Sequence, residues 1–404
     1  MKYYTLPVKS TVSGRVTASG SANVEYPDEY VGGALVRLND NGAWSWFMDP
    51  RAIIDEGKLI AGSVRAVGSN QANESDPRWG NVEVSVYELA TGRVATTVLH
   101  PHLEQDDHDA PAFLIRRDGS YLAVYSKHAV ERRTYYRISE PHNPLAWGPA
   151  AVIETPGENA ARAGNNDTYA NLFRMPDGRV FNFFRGFGHD YDNSLYHGYL
   201  QGDTIHHSNG AVVGTLNTTT EKKIATWEMA DIELDRDAHP YVLFSTQIDG
   251  RGLPRGQGGM DLRYHYARWD GTSWHTEEIA QAGRRLYAGE DDYSGLGALD
   301  PKNPDVMYIS TDADPVSGDP LVSHADRKRH YELFRGQRDA RLGKWTWAPF
   351  TRNSTADNLR PVIPAWNDPR TALVWMRGTY VHNHGEWTTS MVAAIIPPLA
   401  PAGR

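Results

Sequence analysis

Residues 106–128 read DDHDAPAFLIRRDGSYLAVYSKH, and this stretch contains the pattern that decides the fold. Two apolar runs, AFLI and YLAVY, flank a polar turn centred on Gly119. Short apolar runs bounded by Gly, Asp, Asn or Pro are typical of strands joined by tight turns. The stretch therefore predicts a β-hairpin, with His108 just before its first strand and His128 just after its second.

The same apolar–turn–apolar pattern recurs along the chain at intervals of 59 to 66 residues. Its turns are centred on Gly57, Gly119, Gly178, Asp237, Asn303 and Asp368. Most units carry a second, weaker strand pair, such as RYHYARWDGTSWHTEEI after the fourth unit and YELFRGQRDARLGKWTWAPF after the fifth. Two hairpins per repeat make a four-stranded antiparallel blade, so the sequence predicts an all-β protein with a β-propeller fold.

We expect residues 1–404 to form a single propeller domain whose ring is closed by its N- and C-terminal segments. The segments GGALVRLNDNGAWSWF and EWTTSMVAAIIP remain after six hairpins are counted, and pairing them could complete a further blade. Counting alone therefore permits six or seven blades. The alternative architecture is a large β-sandwich or two stacked β domains, which the even spacing over more than 300 residues disfavours.

Composition excludes several classes of partner. The net charge of −9, without any basic stripe, argues against nucleic acid, and the lack of cysteine excludes disulfides and thiolate metal sites. No apolar run is long enough for a membrane span. The N-terminal MKYYTLPVKSTVSG has no signal-peptide core, so we expect a cytoplasmic monomer, or a secreted or periplasmic one if a leader has been removed.

Four side chains occupy corresponding positions in neighbouring repeats. His108 and His128 lie beside the outer ends of the second hairpin, and Tyr169 and Arg185 lie beside those of the third. Each residue alone is more often a surface, packing or ion-pairing residue. Because the inner strands of all blades end around one channel, the four are expected to meet on one face of the ring.

This set of side chains suits an anionic substrate. Arg and His can bind and neutralise a uronate carboxylate through charge-assisted hydrogen bonds, which acidifies the adjacent C-5 proton. A second His or the Tyr can then act as general base and acid, giving β-elimination. Hydrolysis, which needs two carboxylates, is the runner-up, with candidate residues Asp106, Asp107, Glu290, Asp291 and Asp292.

Five stretches resemble a known family: WSWFMDPRAII, DDHDAPAFLIRRDGSYLAVYSKH, TYANLFRMPDGRVFNFFR, DDYSGLGALDP and ALVWMRGTY. They resemble the BNR-repeat-like seven-bladed propellers that include ulvan lyases and L-rhamnose-α-1,4-D-glucuronate lyases. The specific part is the pair of histidines twenty residues apart, followed by a Tyr and an Arg sixteen apart. The resemblance runs from about Trp44 to near the C-terminus and implies seven blades.

The resemblance also implies roles for the four residues. It assigns His108 and Tyr169 to proton transfer, with the base and acid left open, and His128 and Arg185 to binding and neutralising the carboxylate. The implied enzyme is a polysaccharide lyase that cleaves a rhamnosyl-(1→4)-uronate bond, as ulvan lyases do. The alternatives are an exo-acting L-rhamnose-α-1,4-D-glucuronate lyase on gum arabic-type glycans, a glycoside hydrolase, and a non-catalytic carbohydrate-binding propeller.

Further residues are weaker candidates for substrate binding: Lys127 for an anionic group, Tyr293 and Trp227 for stacking on sugar rings, and Arg251 and Arg255 for sulfated positions. No organic cofactor is expected. A structural metal ion held by His324, His330, His382 and His384 is conceivable, but these histidines match no recognised ligand motif.

Overall fold

The computed structural model describes residues 29–398, apart from residues 46–48, 69–72, 129–132, 155–170, 175–179, 184–197, 202–203, 208–209, 216–228, 251–252, 255 and 381–382. Strands dominate this part of the chain, as predicted. Among the described residues the helical structure is a single 3₁₀ turn, Asp107–Asp109. No helix in this part of the chain has the length and apolar character required to cross a membrane.

The strands follow one another with short connections. The first group is β1 (Tyr30–Val31), β2 (Leu35–Arg37), β3 (Ala52–Asp55), β4 (Lys58–Val64), β5 (Val82–Glu88), β6 (Val94–His100), β7 (Ala112–Ile115), β8 (Tyr121–Ser126), β9 (Arg133–Glu140), β10 (Asn143–Trp147) and β11 (Ala151–Glu154). The middle group is β12 (Asn171–Arg174), β13 (Val180–Phe183), β14 (Gly198–Gln201), β15 (Thr204–His207) and β16 (Val212–Thr215). The last group is β17 (Met229–Leu234), β18 (Pro240–Gln247), β19 (Leu262–Trp269), β20 (Trp274–Gly283), β21 (Gly297–Leu299), β22 (Val306–Thr311), β23 (Glu332–Asp339), β24 (Lys344–Pro349), β25 (Thr351–Arg352), β26 (Asp357–Val362), β27 (Thr371–Gly378) and β28 (Ser390–Ile396).

These strands form successive antiparallel sheets, each built from neighbours in sequence. Four-stranded sheets have the orders β3-β4-β5-β6, β17-β18-β19-β20 and β21-β22-β23-β24. The sheet β7-β8-β9-β10 carries β11 as an extra partner of β9. Between the second and fourth units, the pair β12-β13 and the three-stranded sheet β14-β15-β16 are described. This succession of local sheets confirms the all-β propeller and rules out a sandwich of two large sheets.

Each inner hairpin is found where the repeat predicts it: β3-β4, β7-β8, β12-β13, β17-β18, β21-β22 and β26-β27. In the first of them, Asp55 pairs with Lys58, which leaves only Glu56 and Gly57 in the loop. Both loop residues have positive φ, +46° and +75°. This is the backbone of a two-residue hairpin turn whose twist matches the strands, which explains the glycine at the turn.

The first strands of the sheets line the middle of the ring. β3 contacts β7, β7 contacts β12, β17 contacts β21, and β21 contacts β26. The sheets pack face to face through apolar side chains; Ile60, Val84, Phe113 and Tyr125, for example, form one core between the first two sheets. Strands of this kind are buried on both faces, so their sequences are nearly continuously apolar.

The strands near the two termini pair with each other and complete the sheet of the sixth hairpin. β2 lies beside β28 in the order β2-β28-β27-β26, with Val36 opposite Ala393. A hydrogen-bonded closure of this kind joins the two ends of the chain within one sheet. The expected number of seven blades stays a prediction, because the third unit is described only in part.

Candidate active site

The first histidine is held by the local sequence around the 3₁₀ turn. Asp106 caps this turn, and its side chain accepts a hydrogen bond of 3.0 Å from the backbone N–H of His108. Aspartate is a preferred capping residue because its short carboxylate reaches the unpaired N–H groups of the turn. The proline at position 111 follows at once and starts the extended chain into β7. His108 therefore enters the site from a buried, rigid turn.

The hairpin brings the two histidines together, as predicted. Their rings are stacked with centroids 3.7 Å apart and planes inclined by 14°. Asp106 joins them, because its Oδ1 lies 2.6 Å from Nδ1 of His108 and its Oδ2 lies 2.9 Å from Nδ1 of His128. Both side chains are largely buried. One carboxylate thus holds both imidazoles at the ends of a single hairpin.

The shared carboxylate determines the protonation of each ring. Burial alone would raise the pKa of Asp106, but the charges of and hydrogen bonds from His108 and His128 hold it well below its ordinary value. An ionised carboxylate only accepts, so each imidazole donates from Nδ1 and directs Nε2 away from Asp106. Burial and the neighbouring His108 lower the pKa of His128, which favours its neutral form.

A third imidazole, His384, completes the cluster. It lies in the loop after β27, and its Nε2 is 3.4 Å from Asp106 Oδ2. Its ring stands edge-on to both other rings, with centroid distances of 5.5 Å to His108 and 5.0 Å to His128. The side chain is 41% exposed. Sequence reasoning named His384 only as a possible metal ligand, because its distance along the chain concealed this contact.

Asp107 connects the histidine cluster to the last sheet. Its Oδ1 lies 3.0 Å from Nδ1 of His108, and its Oδ2 accepts a 2.6 Å hydrogen bond from Nη1 of Arg360 in β26. The hydroxyl of Tyr380 also donates to Oδ2. The Arg360 guanidinium lies 4.7 Å from the centre of the Tyr380 ring. Although burial opposes it, the charges of Arg360 and His108 lower the pKa of Asp107.

Two carboxyl groups next to the cluster have the opposite charge preference. Burial, with repulsion from Asp106, raises the pKa of Glu104, whose Oε2 accepts from the backbone N–H of His128 at 2.9 Å. Burial, followed by repulsion from Asp106 and Glu104, raises the pKa of Asp109 well above its usual range. Neither oxygen of Asp109 has a hydrogen-bond partner among the described residues. Lys127 is half-buried, and its charge acts on both carboxyl groups.

Tyr293 is linked to the site through aromatic contacts. Its ring meets Tyr287 edge-on at 5.7 Å, and Tyr287 stacks on Tyr380 at 5.5 Å. Tyr380 in turn donates to Asp107. The half-buried Tyr293 therefore lies at the border of the cluster, where a sugar ring could stack on it. The predicted residues Tyr169, Arg185, Trp227, Arg251 and Arg255 lie outside the described residues.

Two groups of side chains could provide a cation site. Asp106, His128 and His384 present possible ligand atoms within 4.8 Å of one another, and so do Asp106, Asp107 and His108. Histidine nitrogen and carboxylate oxygen suit zinc and other transition metals. The carboxylate oxygens concerned already accept hydrogen bonds from imidazole N–H groups, so a metal ion here would replace those bonds.

The other histidines considered as metal ligands are placed elsewhere. Nε2 of His330 lies 2.9 Å from Asp326, and its Nδ1 lies 3.2 Å from Asp357. His324 is exposed, and its backbone N–H bonds to the side chain of Asn353. His382 lies outside the described residues. In the described part of the chain, His324 and His330 therefore do not form a metal site with His384.

Comparison with known proteins supports the fold and the resemblance. The model of a BNR repeat-containing family matches residues 67–214, which include the second hairpin and both of its histidines. The chain has a β-propeller fold, and part of it is similar to BNR repeat-containing proteins. A search among curated protein sequences gives no match for this propeller.

Several solved structures resemble the propeller over most of their length. One is a polysaccharide lyase, a PL25 ulvan lyase bound to -[GlcA(1-4)Rha3S]-, with 12% identity and a TM-score of 0.52, covering 90% of this chain and 96% of the other. Another is a protein of unknown function from Dyadobacter fermentans, with 10% identity, a TM-score of 0.45 and coverage of 93% and 100%. A third is an α-L-arabinofuranosidase of Fusarium graminearum in complex with arabinobiose, with 10% identity, a TM-score of 0.42 and coverage of 91% and 98%. At such identities, the likeness to the lyase shows the shared fold alone.

Proposed function

We propose that this propeller is a polysaccharide lyase that cleaves a rhamnosyl-(1→4)-uronate bond by β-elimination. The observation that carries the proposal is the stacked pair His108 and His128 on the shared carboxylate of Asp106. Both rings donate from Nδ1 to Asp106, which fixes their tautomers. We assign one ring to proton transfer and the other to the substrate carboxylate. The substrate class agrees with the glycan bound in the ulvan lyase of the same fold.

The chemistry balances without a covalent intermediate. The base takes the C-5 proton of the uronate, the released electron pair forms the C4–C5 double bond, and the bond from C-4 to O-4 breaks. O-4 leaves with the rhamnosyl residue and takes a proton from the acid. We assign His108 and Tyr169 to these two proton transfers, and His128 with Arg185 to the carboxylate, whose neutralisation acidifies the C-5 proton.

The neutral state of His128 before substrate binding fits this assignment. An anionic carboxylate brought next to the imidazole favours its protonated form, because opposite charges at short range stabilise each other. The protonated ring then places its positive charge beside the substrate carboxylate while Nδ1 still donates to Asp106. His128 thus gains its positive charge when the uronate binds.

Three of the carboxylates considered for hydrolysis are already engaged by cationic or N–H groups. Asp106 and Asp107 are turned towards imidazole and guanidinium groups and are held ionised. Asp291 accepts from the backbone N–H groups of Gly256 and Gly258 and also pairs with Arg285. A glycosidase needs one carboxyl group to donate a proton and another to act as base or nucleophile. These engaged carboxylates favour a lyase over the hydrolase alternative.

An ultraviolet absorbance assay tests the proposal, because β-elimination creates an unsaturated uronate that absorbs and hydrolysis does not. Ulvan, gum arabic and a sulfate-free rhamnosyl-glucuronate oligosaccharide are compared in parallel. A rise with ulvan alone indicates an ulvan lyase, and a rise with gum arabic or the oligosaccharide indicates the exo-acting rhamnose-glucuronate lyase. Reducing ends without absorbance would indicate a hydrolase, and binding without either product would indicate a carbohydrate-binding propeller.

Variants of the proposed proton-transfer residues connect the activity to this site. His108→Ala and Tyr169→Phe are each expected to remove most turnover while substrate binding, measured by calorimetry, largely remains. Arg185→Ala is expected to weaken both, because its interaction with the carboxylate strengthens as charge moves into that group. Near-normal turnover in both His108→Ala and Tyr169→Phe would show that the reaction takes place elsewhere.

A further inference from the structure

A group of basic side chains lies on the same face of the ring as the histidine cluster. His108 precedes the first strand of its blade, and His128 follows the second, so the site is at the face opposite the inner hairpin turns. In an antiparallel blade, the second and fourth strands end at the face where the first and third strands begin. The end of β20, the end of β22 and the loop before β23 therefore lie at this face. These segments contain four cationic residues, which we call the basic ledge: Arg284, Arg327, Lys328 and Arg329.

The centre of the basic ledge is a buried carboxylate shared by two arginines. Asp312 is 1% exposed. Its Oδ2 lies 2.9 Å from Nε of Arg284, and its Oδ1 lies 2.9 Å from Nη2 of Arg329. Gly283 has a φ of +80°, and a Cβ at this position would lie 2.0 Å from Asp312 Oδ1. One negative charge thus orients two guanidinium groups, and the pair keeps a net positive charge.

The ledge retains donors that no group in the described part of the chain uses. Nη1 and Nη2 of Arg284 have no hydrogen-bond partner among the described residues, and the side chain is 40% exposed. Arg327 and Lys328 are exposed, and no ion pair is formed by either within the described part of the chain. In a protein of net charge −9, these segments concentrate four cations, and the other carboxylate of the loop, Asp326, is paired with His330.

The ledge is connected to the histidine cluster by a short stretch of chain. Arg284 is three residues before Tyr287, so their Cα atoms are at most about 10 Å apart. Tyr287 stacks on Tyr380, which donates to Asp107 beside His108. The backbone carbonyl of Arg284 accepts from the hydroxyl of Tyr331, which fixes the start of this stretch. A glycan chain extending from the site towards β23 would therefore reach the ledge.

We propose that the basic ledge is a subsite for a second anionic group of an extended acidic glycan, either a sulfate ester or a uronate carboxylate. Arg284 supplies the unused guanidinium donors, Asp312 holds them in place, and Arg327 and Lys328 attract the anion over a longer range. The planar fork of arginine matches the oxygens of both groups. The glycan as ligand rests on the proposed function, whereas the anion site rests on the ledge itself.

The test compares Arg284→Gln with Arg236→Gln. Arg236 lies in the turn between β17 and β18 on the opposite face and is 93% exposed, so its substitution removes the same charge far from the ledge. Binding is measured by calorimetry in a His108→Ala background, with sulfated ulvan oligosaccharides, their desulfated forms, and a disaccharide that spans only the cleaved bond. The double variant Arg327→Gln/Lys328→Gln, at exposed positions, repeats the test without touching Asp312.

We expect Arg284→Gln to weaken binding of the longer oligosaccharides about tenfold, because one charge-assisted hydrogen-bonded contact is lost. Binding of the disaccharide, and all binding by Arg236→Gln, should be unchanged. Loss confined to the sulfated forms identifies a sulfate ester as the ligand, and loss with both forms identifies the carboxylate. Equal effects on long and short ligands, or no effect from either ledge variant, overturn the subsite. If Arg284→Gln weakens binding of the longer oligosaccharides but the wild type produces no unsaturated uronate, the lyase proposal is refuted and the subsite is supported.

Discussion

Two groups of carboxylates in this propeller have opposite charge states. At the histidine cluster, Asp106 and Asp107 have lowered pKa values, because imidazole and guanidinium groups outweigh the cost of burial. In the central channel, Asp231 and Glu233 line a cavity of about 340 Å³ together with Asp49 and Arg51. Burial, with repulsion among these carboxylates, raises the pKa of Asp231 to about 7 and that of Glu233 to about 9.

The difference shows that burial alone does not decide the charge of a carboxyl group. Asp106 and Asp107 each have at least two cationic or N–H partners in direct contact. Among the described residues of the channel, Arg51 faces three carboxyl groups, so some of them stay protonated near neutral pH. Ionised carboxylates can orient imidazoles for catalysis, whereas protonated ones mainly fill and stabilise the channel. The following predictions test this distinction, starting with the largest expected effect.

Replacing a carboxyl group by an amide should lower kcat strongly at Asp106 and hardly at all at Glu233. Asp106→Asn is expected to lower kcat by roughly 10³-fold or more, because both imidazoles lose the acceptor that fixes their Nδ1–H tautomers. Glu233→Gln replaces a protonated acid with a neutral amide of similar shape, so kcat at pH 7 should be close to that of the wild type. The measurement is kcat on the cleaved glycan. A similar loss in both variants would remove the distinction.

The buried ion pair between Arg360 and Asp107 should contribute strongly to the stability of the folded protein. Both side chains are 0% exposed, so Arg360→Met leaves a buried carboxylate without its cation. We expect a loss of about 3–5 kcal/mol in the free energy of unfolding, measured by urea denaturation. Arg236→Met, at an exposed position, is the control and should change stability little. Adding Asp107→Asn to Arg360→Met should recover part of the loss, and no recovery would mean that the effect is not electrostatic.

The channel should make the protein less stable as the pH rises. The folded-state pKa values of Asp231 and Glu233 are above those of an unfolded chain, so the folded state binds more protons between about pH 4 and 9. This contribution is fully present below the unfolded pKa and is lost as the pH passes about 7 and then 9. The free energy of unfolding should therefore fall between about pH 4 and pH 9, by at most about 1.4 kcal/mol per pH unit for each group, and these groups should add no further fall above that range.

Glu233→Gln provides the control for this pH dependence. The variant cannot ionise at this position, so its stability should fall less steeply over the same range. The comparison uses denaturation curves of the wild type and the variant at pH 6, 8 and 10. Parallel curves would show that Glu233 is already ionised in the folded protein at neutral pH.

His384 should contribute least of the residues around Asp106. It is 41% exposed, and its Nε2 lies 3.4 Å from the carboxylate, which is longer than the contacts of His108 and His128. His384→Ala should lower kcat by no more than about tenfold, consistent with the loss of one weak polar contact. A loss as large as that of Asp106→Asn would point instead to a direct role in the reaction or in holding a metal ion.

Local sequence determined much of this protein. Each inner hairpin has its own turn residues and its own apolar runs, so the repeat, the all-β class and the pairing of β3 with β4 could be predicted from neighbouring residues. The same locality placed His108 and His128 together, because both lie at the outer end of one hairpin. Asp106 could also have been found, since it directly precedes the 3₁₀ turn that it caps.

Only the tertiary structure decided which groups surround that pair. Arg360 and Tyr380 are 253 and 273 residues from Asp107, and their own neighbours in sequence give no sign of a shared carboxylate. The contact arises because closure of the ring brings the last sheet next to the start of the second. The position of His384 depends on the same closure. Loops that are far apart in sequence meet at one face of a propeller, so their chemistry is a property of the closed ring.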